Sequence, residues 1–171
     1  MNKWPHRGTY GKKEPQVLRL RITLEYVDPA PWREIEIRSD KTLPHLHDAI
    51  QAAFLWYDMH LWDFEIGDRK YQMKSEAFWI EPMFGPPVME VTTKKLDFFL
   101  NAKVPPVIYT YDFGDDWAHR IELVSTRTVV PNEPLPRFCR RPMGNPARGH
   151  WRPAHVRSLQ GGAEEYKPPG T

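Results

Sequence analysis

The sequence has little cysteine and no long hydrophobic run. Cys139 is the single cysteine among 171 residues, which excludes an intrachain disulfide framework and a zinc site built from several cysteines. One free thiol fits a reducing compartment. No apolar run approaches the roughly 18 residues of a membrane span, and the basic N-terminus lacks the apolar segment of a secretory signal. We therefore predict a cytoplasmic protein with no membrane partner.

The sequence also lacks the common catalytic signatures. It contains no glycine-rich phosphate loop, no serine in a nucleophile elbow and no His-Glu-x-x-His pair. Cys139 lies among arginines that could make it reactive, but no positioned base accompanies it. His45 and His47 are two residues apart on a predicted helix and therefore point to different sides. These absences leave the type of reaction, if any, undetermined.

What is present is a composition typical of a folded chain. Hydrophobic residues make up 40% and aromatic residues 13% of the sequence, which is too apolar for a disordered protein. The length predicts one domain with a sizeable core. The net charge of +2 is unevenly distributed, because residues 134–163 contain several arginines and no acidic residue. A basic segment of this kind is typical either of a solvated terminus or of nucleic-acid binding.

The pattern along the chain divides it into three parts. Residues 1–15 form a loose leader, residues 16–130 a folded domain, and residues 131–171 a Pro/Arg-rich tail. Prolines recur every few residues after Val130, so regular structure is expected to stop there. The composition change near Arg137 also fits a degraded or out-of-frame C-terminus.

Within the domain, hydrophobic periodicity predicts strands and helices. Period-two alternation predicts strands over 17–26, 32–38, 62–66, 70–73, 107–113 and 117–123. Apolar residues at helical spacing predict a main helix from Thr42, its N-cap, to between Phe54 and Tyr57. A short helix is expected over 94–101, and residues 74–92 read as a long loop. We predict an α+β fold with a mostly antiparallel sheet of three hairpin-like strand pairs, both helices packed on it and an irregular basic tail.

Five polar residues stand out against this pattern. Two lie on apolar faces and three lie beside turns: His47 on the helix stripe, His119 on a strand face, His60 before the third strand, and Asp112 and Asp115 around a Phe-Gly turn. Histidine and carboxylate together suit a divalent metal or a general acid–base pair. Buried histidines more often tie two elements together through hydrogen bonds. We favour such a network, with no cofactor, and retain a divalent metal as the alternative.

The same residues carry a family resemblance. The segments Pro31-Trp-Arg33, Thr42-Leu-Pro-His-Leu-His47, Trp56-Tyr-Asp-Met-His-Leu61 and Tyr109-Thr-Tyr-Asp-Phe-Gly-Asp-Asp-Trp-Ala-His119 together resemble the plasmid pRiA4b ORF-3-like family. The resemblance covers roughly residues 16–130. It implies a compact α+β fold and an association with plasmids and mobile elements, where members are labelled TnpR-like. It implies no demonstrated reaction, and the acidic Pro-Pro-Glu-Asp element typical of the family's C-terminus is missing here.

Together these observations favour a binding or accessory module of mobile DNA, with DNA or another protein as its partner. One alternative is a metal-dependent hydrolase, nuclease or recombinase-like enzyme that uses His47, His60, Asp112, Asp115 and His119. A second alternative is a nucleic-acid-binding protein. Its candidate contacts are the tail arginines Arg137, Arg140, Arg141, Arg148 and Arg152.

Overall fold

The computed structural model describes residues 14–72, 88–91, 93–101 and 106–140. In chain order, the elements are β1 Gln16–Leu24, β2 Trp32–Arg38, α1 Leu43–Phe54, β3 Trp62–Ile66, β4 Arg69–Gln72, β5 Val88–Glu90, α2 Leu96–Phe99, β6 Val107–Tyr111, β7 Trp117–Thr128 and β8 Arg137–Arg140. The predicted leader and most of the tail lie outside the described residues, as does most of the predicted loop 74–92.

All eight strands belong to one sheet, in the order β5-β4-β3-β6-β7-β1-β2-β8. The predicted α+β fold, with a mostly antiparallel sheet of three hairpin-like pairs, is therefore wrong, because the described part of the chain is mostly sheet, with two helices. β7 joins the two halves because it pairs with β6 on one side and with β1 on the other. The sheet is mixed, since β4 and β5 pair in parallel.

The C-terminal part also differs from the prediction. Regular structure does not stop at Val130, because β8 pairs antiparallel with β2 and forms an edge of the sheet. In this pairing Phe138 lies opposite Ile35, and Arg137 lies opposite Glu36. β5 is likewise a strand inside the segment predicted as a loop.

The core lies between α1 and one face of the sheet. Strand alternation places Leu20, Ile22 and Leu24 of β1 on this face. The α1 stripe that includes Leu46 and Ile50 is buried against it. Pro44 lies in the first turn of α1, where its missing N–H costs little. The Thr42 hydroxyl bonds to His45 Nδ1 at 2.8 Å instead of capping a backbone N–H.

The opposite face carries a charged cluster around Glu36. The Glu36 carboxylate is almost fully covered, and its oxygens lie 3.1, 2.6 and 2.7 Å from guanidinium nitrogens of Arg19, Arg127 and Arg137 respectively. Hydrogen bonds from Arg127 and Arg137 lower the pKa of Glu36, although burial opposes that shift. The cluster joins β1, β2, β7 and β8 across the sheet. Among the described residues, no helix is long and apolar enough to cross a membrane.

Candidate functional site

The centre of the candidate site is Tyr109 on β6, whose side chain is fully buried. Its hydroxyl lies 2.8 Å from His47 Nδ1 and accepts a hydrogen bond from Gln51 Nε2 at 2.9 Å. His47 and Gln51 lie one helical turn apart on α1, so both side chains reach the same hydroxyl. The hydroxyl thus joins the helix to the middle of the sheet.

The second ring nitrogen of the buried His47 contacts an exposed carboxylate. Nε2 lies 3.0 Å from Asp58 Oδ1, and the imidazole stacks on Trp62 with ring centroids 4.3 Å apart. Burial lowers the pKa of His47, although the Asp58 charge works in the other direction. A neutral ring that accepts from Tyr109 and donates from Nε2 to Asp58 satisfies both nitrogens. His47 is therefore an uncharged link between Tyr109 and an exposed carboxylate.

His119 lies directly across the β6–β7 pair from Tyr109. The ring is fully buried, with Nδ1 3.3 Å from the Tyr109 carbonyl oxygen, and Phe54 and Trp56 contact it edge-on. Burial lowers its pKa to about 4. Its Nε2 atom and the nearby indole N–H of Trp56 are both buried without a hydrogen-bond partner among the described residues. His119 is thus a neutral core residue that cannot meet a bound molecule from solvent.

The remaining three predicted residues form a second group near the surface, in which His60 and Asp115 are exposed and Asp112 is partly buried. His60 Nδ1 lies 3.4 Å from Asp112 Oδ2, and the backbone N–H of Gly114 donates to Asp112 Oδ1 at 3.0 Å. Asp115 follows in the same turn and is exposed. The five predicted residues therefore divide into a buried set, His47 and His119, and a surface set. Over the part of the chain that the structure describes, no three His, Cys, Asp or Glu side chains are placed to share a metal ion.

Sequence reasoning missed the partners that organise the buried set. The sequence singled out neither the Tyr109 hydroxyl nor Gln51 and Asp58 as partners of the two histidines. Gln51 did carry a signal, since it is a polar residue four positions after His47 on the apolar stripe of α1. Asp58 lies in a connection without periodicity, where a single sequence offers no pattern to read.

Three connections meet at one end of the sheet, above this buried set. We call them the loop end, defined as residues 25–31, 55–61 and 112–116. Backbone hydrogen bonds fasten them together: the amide of Glu25 donates to the Ala118 carbonyl at 2.8 Å, and that of Asp112 to the Leu61 carbonyl at 2.9 Å. The Tyr111 hydroxyl accepts from the Met59 amide at 2.9 Å. The loop end is therefore attached to the sheet beneath it.

Large apolar side chains project from the loop end. The exposed ones, with their exposed fractions, are Tyr26 (67%), Leu55 (71%), Tyr57 (87%), Met59 (76%) and Phe113 (43%). The backbone here is also unusual. Of the six described non-glycine residues with positive φ, five lie in these loops: Tyr26, Leu55, Asp58, Asp112 and Asp116. Such conformations are costly outside glycine and gather at binding and catalytic sites.

The family model for plasmid pRiA4b ORF-3-like proteins matches residues 16–146, which include the whole described sheet. The chain belongs to the plasmid pRiA4b ORF-3-like family. The uncharacterized protein y4hQ of Sinorhizobium fredii is 29% identical over 140 residues, which are 82% of this chain and 66% of that protein. The chain thus spans just under two-thirds of the length of that relative.

A solved relative supports the fold of this pRiA4b ORF-3-like chain. The crystal structure of MM3350 from Methanosarcina mazei Go1, a protein of unknown function, superposes with a TM-score of 0.65 at 25% identity. The match covers 75% of this chain and 70% of that one. The family model establishes the family and the solved structure supports the fold; neither relative's name assigns an activity.

The tail arginines predicted to contact nucleic acid are only partly described. Arg137 is engaged with Glu36 at 2.7 Å across the β2–β8 pair, and Arg140 is exposed at the end of β8. Arg141, Arg148 and Arg152 lie outside the described residues. Nucleic-acid binding through these arginines stays a prediction, and Arg137 already has a structural partner.

Proposed function

We propose that this pRiA4b ORF-3-like protein is a binding module whose working surface is the loop end. The observation that carries the proposal is the group of large apolar side chains exposed there, which includes Tyr57 and Met59. Contiguous apolar surface on a folded protein commonly marks an interaction site. Aromatic residues and methionine are also enriched where proteins meet their partners.

The support beneath the loop end fits a recognition surface. The Asp58 carboxylate is held by His47, which is itself fixed by Tyr109 and by stacking on Trp62. Gln51 Oε1 accepts from the Asp58 backbone N–H at 2.9 Å. A surface that is ordered before binding loses less conformational entropy when its partner arrives. The buried polar network therefore acts in binding by fixing the shape of the loop that carries Tyr57 and Met59.

An accessory role on mobile DNA is the finer part of this proposal. It is supported by the plasmid origin in the family's description. The names of the two relatives mention neither a resolvase nor a mobile element. The TnpR-like label therefore stays a prediction, as does the hydrolase hypothesis, for which His60 and Asp112 are the accessible acid–base pair.

The proposal is tested by capturing partners with the tagged protein from cells that express it naturally. The double variant Tyr57→Ser/Met59→Ser should lose the captured partner, because both side chains are exposed and their contribution is to contacts outside the chain. Each of the two substitutions should change the free energy of unfolding by no more than about 0.5 kcal/mol relative to the unaltered protein. Quantitative mass spectrometry of the captured proteins and urea unfolding measure the two effects.

Phe98→Ser is the matched control. Phe98 is similarly exposed, but it lies on α2 at the opposite end of the sheet. This variant should capture the same partner as the unaltered protein. Equal capture by the unaltered protein and by the loop-end double variant would show that the working surface lies elsewhere.

A further inference from the structure

The charge of the loop end identifies the kind of partner that its apolar side chains would accept. Its three connections contain six carboxylates and no lysine or arginine: Glu25, Asp28, Asp58, Asp112, Asp115 and Asp116. One of them, Glu25, is neutralised by Arg120 at 2.9 Å. Asp58 and Asp112 face only histidines, His47 and His60. The potential at this end of the molecule is therefore negative.

Three carboxylates have no positively charged partner among the described residues. Asp28, Asp115 and Asp116 take part in none of the ion pairs found there. This contrasts with the opposite face of the sheet, where Glu34 and Glu36 are both held by arginines. Glu34 and Glu36 are thus compensated by arginines of the sheet, whereas Asp28, Asp115 and Asp116 are left to solvent or to a partner.

Exposed aromatic rings lie among these carboxylates. Tyr26 is two residues from Asp28, Tyr57 adjoins Asp58, and Phe113 adjoins Asp112. An aromatic face attracts a guanidinium or an ammonium group, and a neighbouring carboxylate adds a charge-assisted hydrogen bond. Lysine and arginine side chains satisfy both groups at once, since their apolar stems cover the ring while the charged end reaches the carboxylate.

We propose that the loop end binds a lysine- and arginine-rich segment of a partner protein. This inference rests on the proposed function, because it names the partner of the same surface. The exposed apolar residues supply contact area, and the uncompensated carboxylates select a cationic segment over a neutral or acidic one. The same negative potential disfavours nucleic acid at this surface, since phosphates would face carboxylates.

The test is a fluorescence-anisotropy titration of the full chain against three labelled synthetic peptides. The first is a 12-residue peptide with alternating Arg, Lys and Leu; in the second, Glu replaces every basic residue; in the third, Gln replaces them. We expect the full chain to bind the basic peptide at least about tenfold more tightly than the Gln peptide, and the Glu peptide not at all. Raising the NaCl concentration from 50 to 500 mM should weaken binding of the basic peptide severalfold, because the charges are exposed.

The variant Asp115→Asn/Asp116→Asn locates the binding. Both substitutions keep the side-chain shape, and asparagine tolerates the positive φ of Asp116. Removing two charges should lower the affinity for the basic peptide about fivefold, since an exposed ion pair contributes roughly 0.2–1 kcal/mol. The control Glu65→Gln/Asp68→Asn also removes two carboxylates, the half-exposed Glu65 beside Lys70 and the exposed Asp68 beside Arg69, at the other end of the sheet, where β3 turns into β4. It should leave the affinity unchanged.

Several results would overturn the inference. These are no binding of the basic peptide, equal affinity for the Glu peptide, or equal weakening by both double variants. If the basic peptide binds only to the variant Arg148→Gln/Arg152→Gln, the occupant of the loop end is the chain's own basic tail and not a partner. Labelled duplex DNA bound more tightly than the basic peptide, and weakened by Asp115→Asn/Asp116→Asn, would make nucleic acid the ligand.

The same measurements separate this inference from the proposed function. If the Gln peptide binds as tightly as the basic one, and Tyr57→Ser/Met59→Ser abolishes that binding, the loop end is still a binding surface. Only the cationic nature of the partner is then rejected. If peptide binding and partner capture are both unchanged in that variant, the proposed function and the further inference are both rejected.

Discussion

At the scale of single residues, the three histidines of the site differ in how deeply they are buried. His47 and His119 are buried and have lowered pKa values, whereas His60 is half exposed beside Asp112. The sequence indicated the first two by placing them on apolar faces, and that reasoning was sound because periodicity reports burial. It could not show that the Tyr109 hydroxyl is the partner of His47, since the contact joins residues 62 positions apart.

Removing the His47 imidazole should destabilise the protein more than removing the His60 imidazole. His47→Ala leaves the buried Tyr109 hydroxyl with one partner fewer and removes the stack on Trp62. An orphaned buried polar group costs about 1–3 kcal/mol, and an aromatic stack adds about 0.5–1.5 kcal/mol. We expect a loss of roughly 2–4 kcal/mol by urea unfolding, against less than about 1 kcal/mol for His60→Ala. Similar losses in the two variants would argue against the network.

At the scale of elements, the sequence predicted what local pattern controls. The main helix has the expected stripe and ends at Phe54, and the strongest alternating runs are strands. β5 and β8 were missed because both are short and lie in proline-rich stretches that show no alternation. They are held in place by the strands beside them. Short strands of this kind owe their structure to neighbours that the local sequence does not reveal.

The end of α1 offers a test of backbone strain. Leu55 is the C-cap and has a left-handed conformation with φ of 60°, which costs a side-chain-bearing residue about 1–2 kcal/mol. Glycine adopts this conformation without that cost but gives up roughly 0.5–1 kcal/mol to unfolded-state entropy. Leu55→Gly should therefore raise the free energy of unfolding by about 0.5–1 kcal/mol, as measured by urea unfolding.

The control for this change is Leu55→Ala, which keeps the strained conformation and should give no gain. Loss of stability in the glycine variant would mean that the largely exposed Leu55 side chain contributes packing that outweighs the strain.

At the scale of the whole molecule, the single mixed sheet could not be predicted from the sequence. Local alternation identifies a strand but not its neighbours, and the decisive pairing joins β1 to β7 across about a hundred residues. The family resemblance implied an α+β fold, which the single mixed sheet corrects, and it supplied no strand order. The same long-range pairing brings residues 25–31 beside residues 112–116, so the loop end could not be assembled from the sequence either.

Acid should destabilise the whole fold through His119. Its pKa is near 6.5 in the unfolded chain and about 4 in the folded one, so the unfolded state binds more protons between these values. Stability is then fully present above pH 6.5 and falls as the pH drops towards 4, by about 3 kcal/mol from this group. The lowered pKa of His47 acts in the same direction.

The comparison that isolates His119 is the slope of unfolding free energy against pH in the unaltered protein and in His119→Leu. Other groups, such as Asp63 with its raised pKa, titrate in both proteins and cancel in the difference. The variant should lose about 3 kcal/mol less than the unaltered protein between pH 7 and pH 4. Parallel curves would mean that His119 accepts a proton in the folded state as readily as in the unfolded one.

The two margins of the sheet limit how copies of this protein can assemble. Within the described residues, β5 and β8 present three and four residues each, and the described part of β8 has an arginine at both ends. Short, charged edge strands offer a second molecule few unpaired backbone N–H and C=O groups. Lateral polymerisation by strand addition is therefore disfavoured, and association in a crowded cell would have to proceed through side chains.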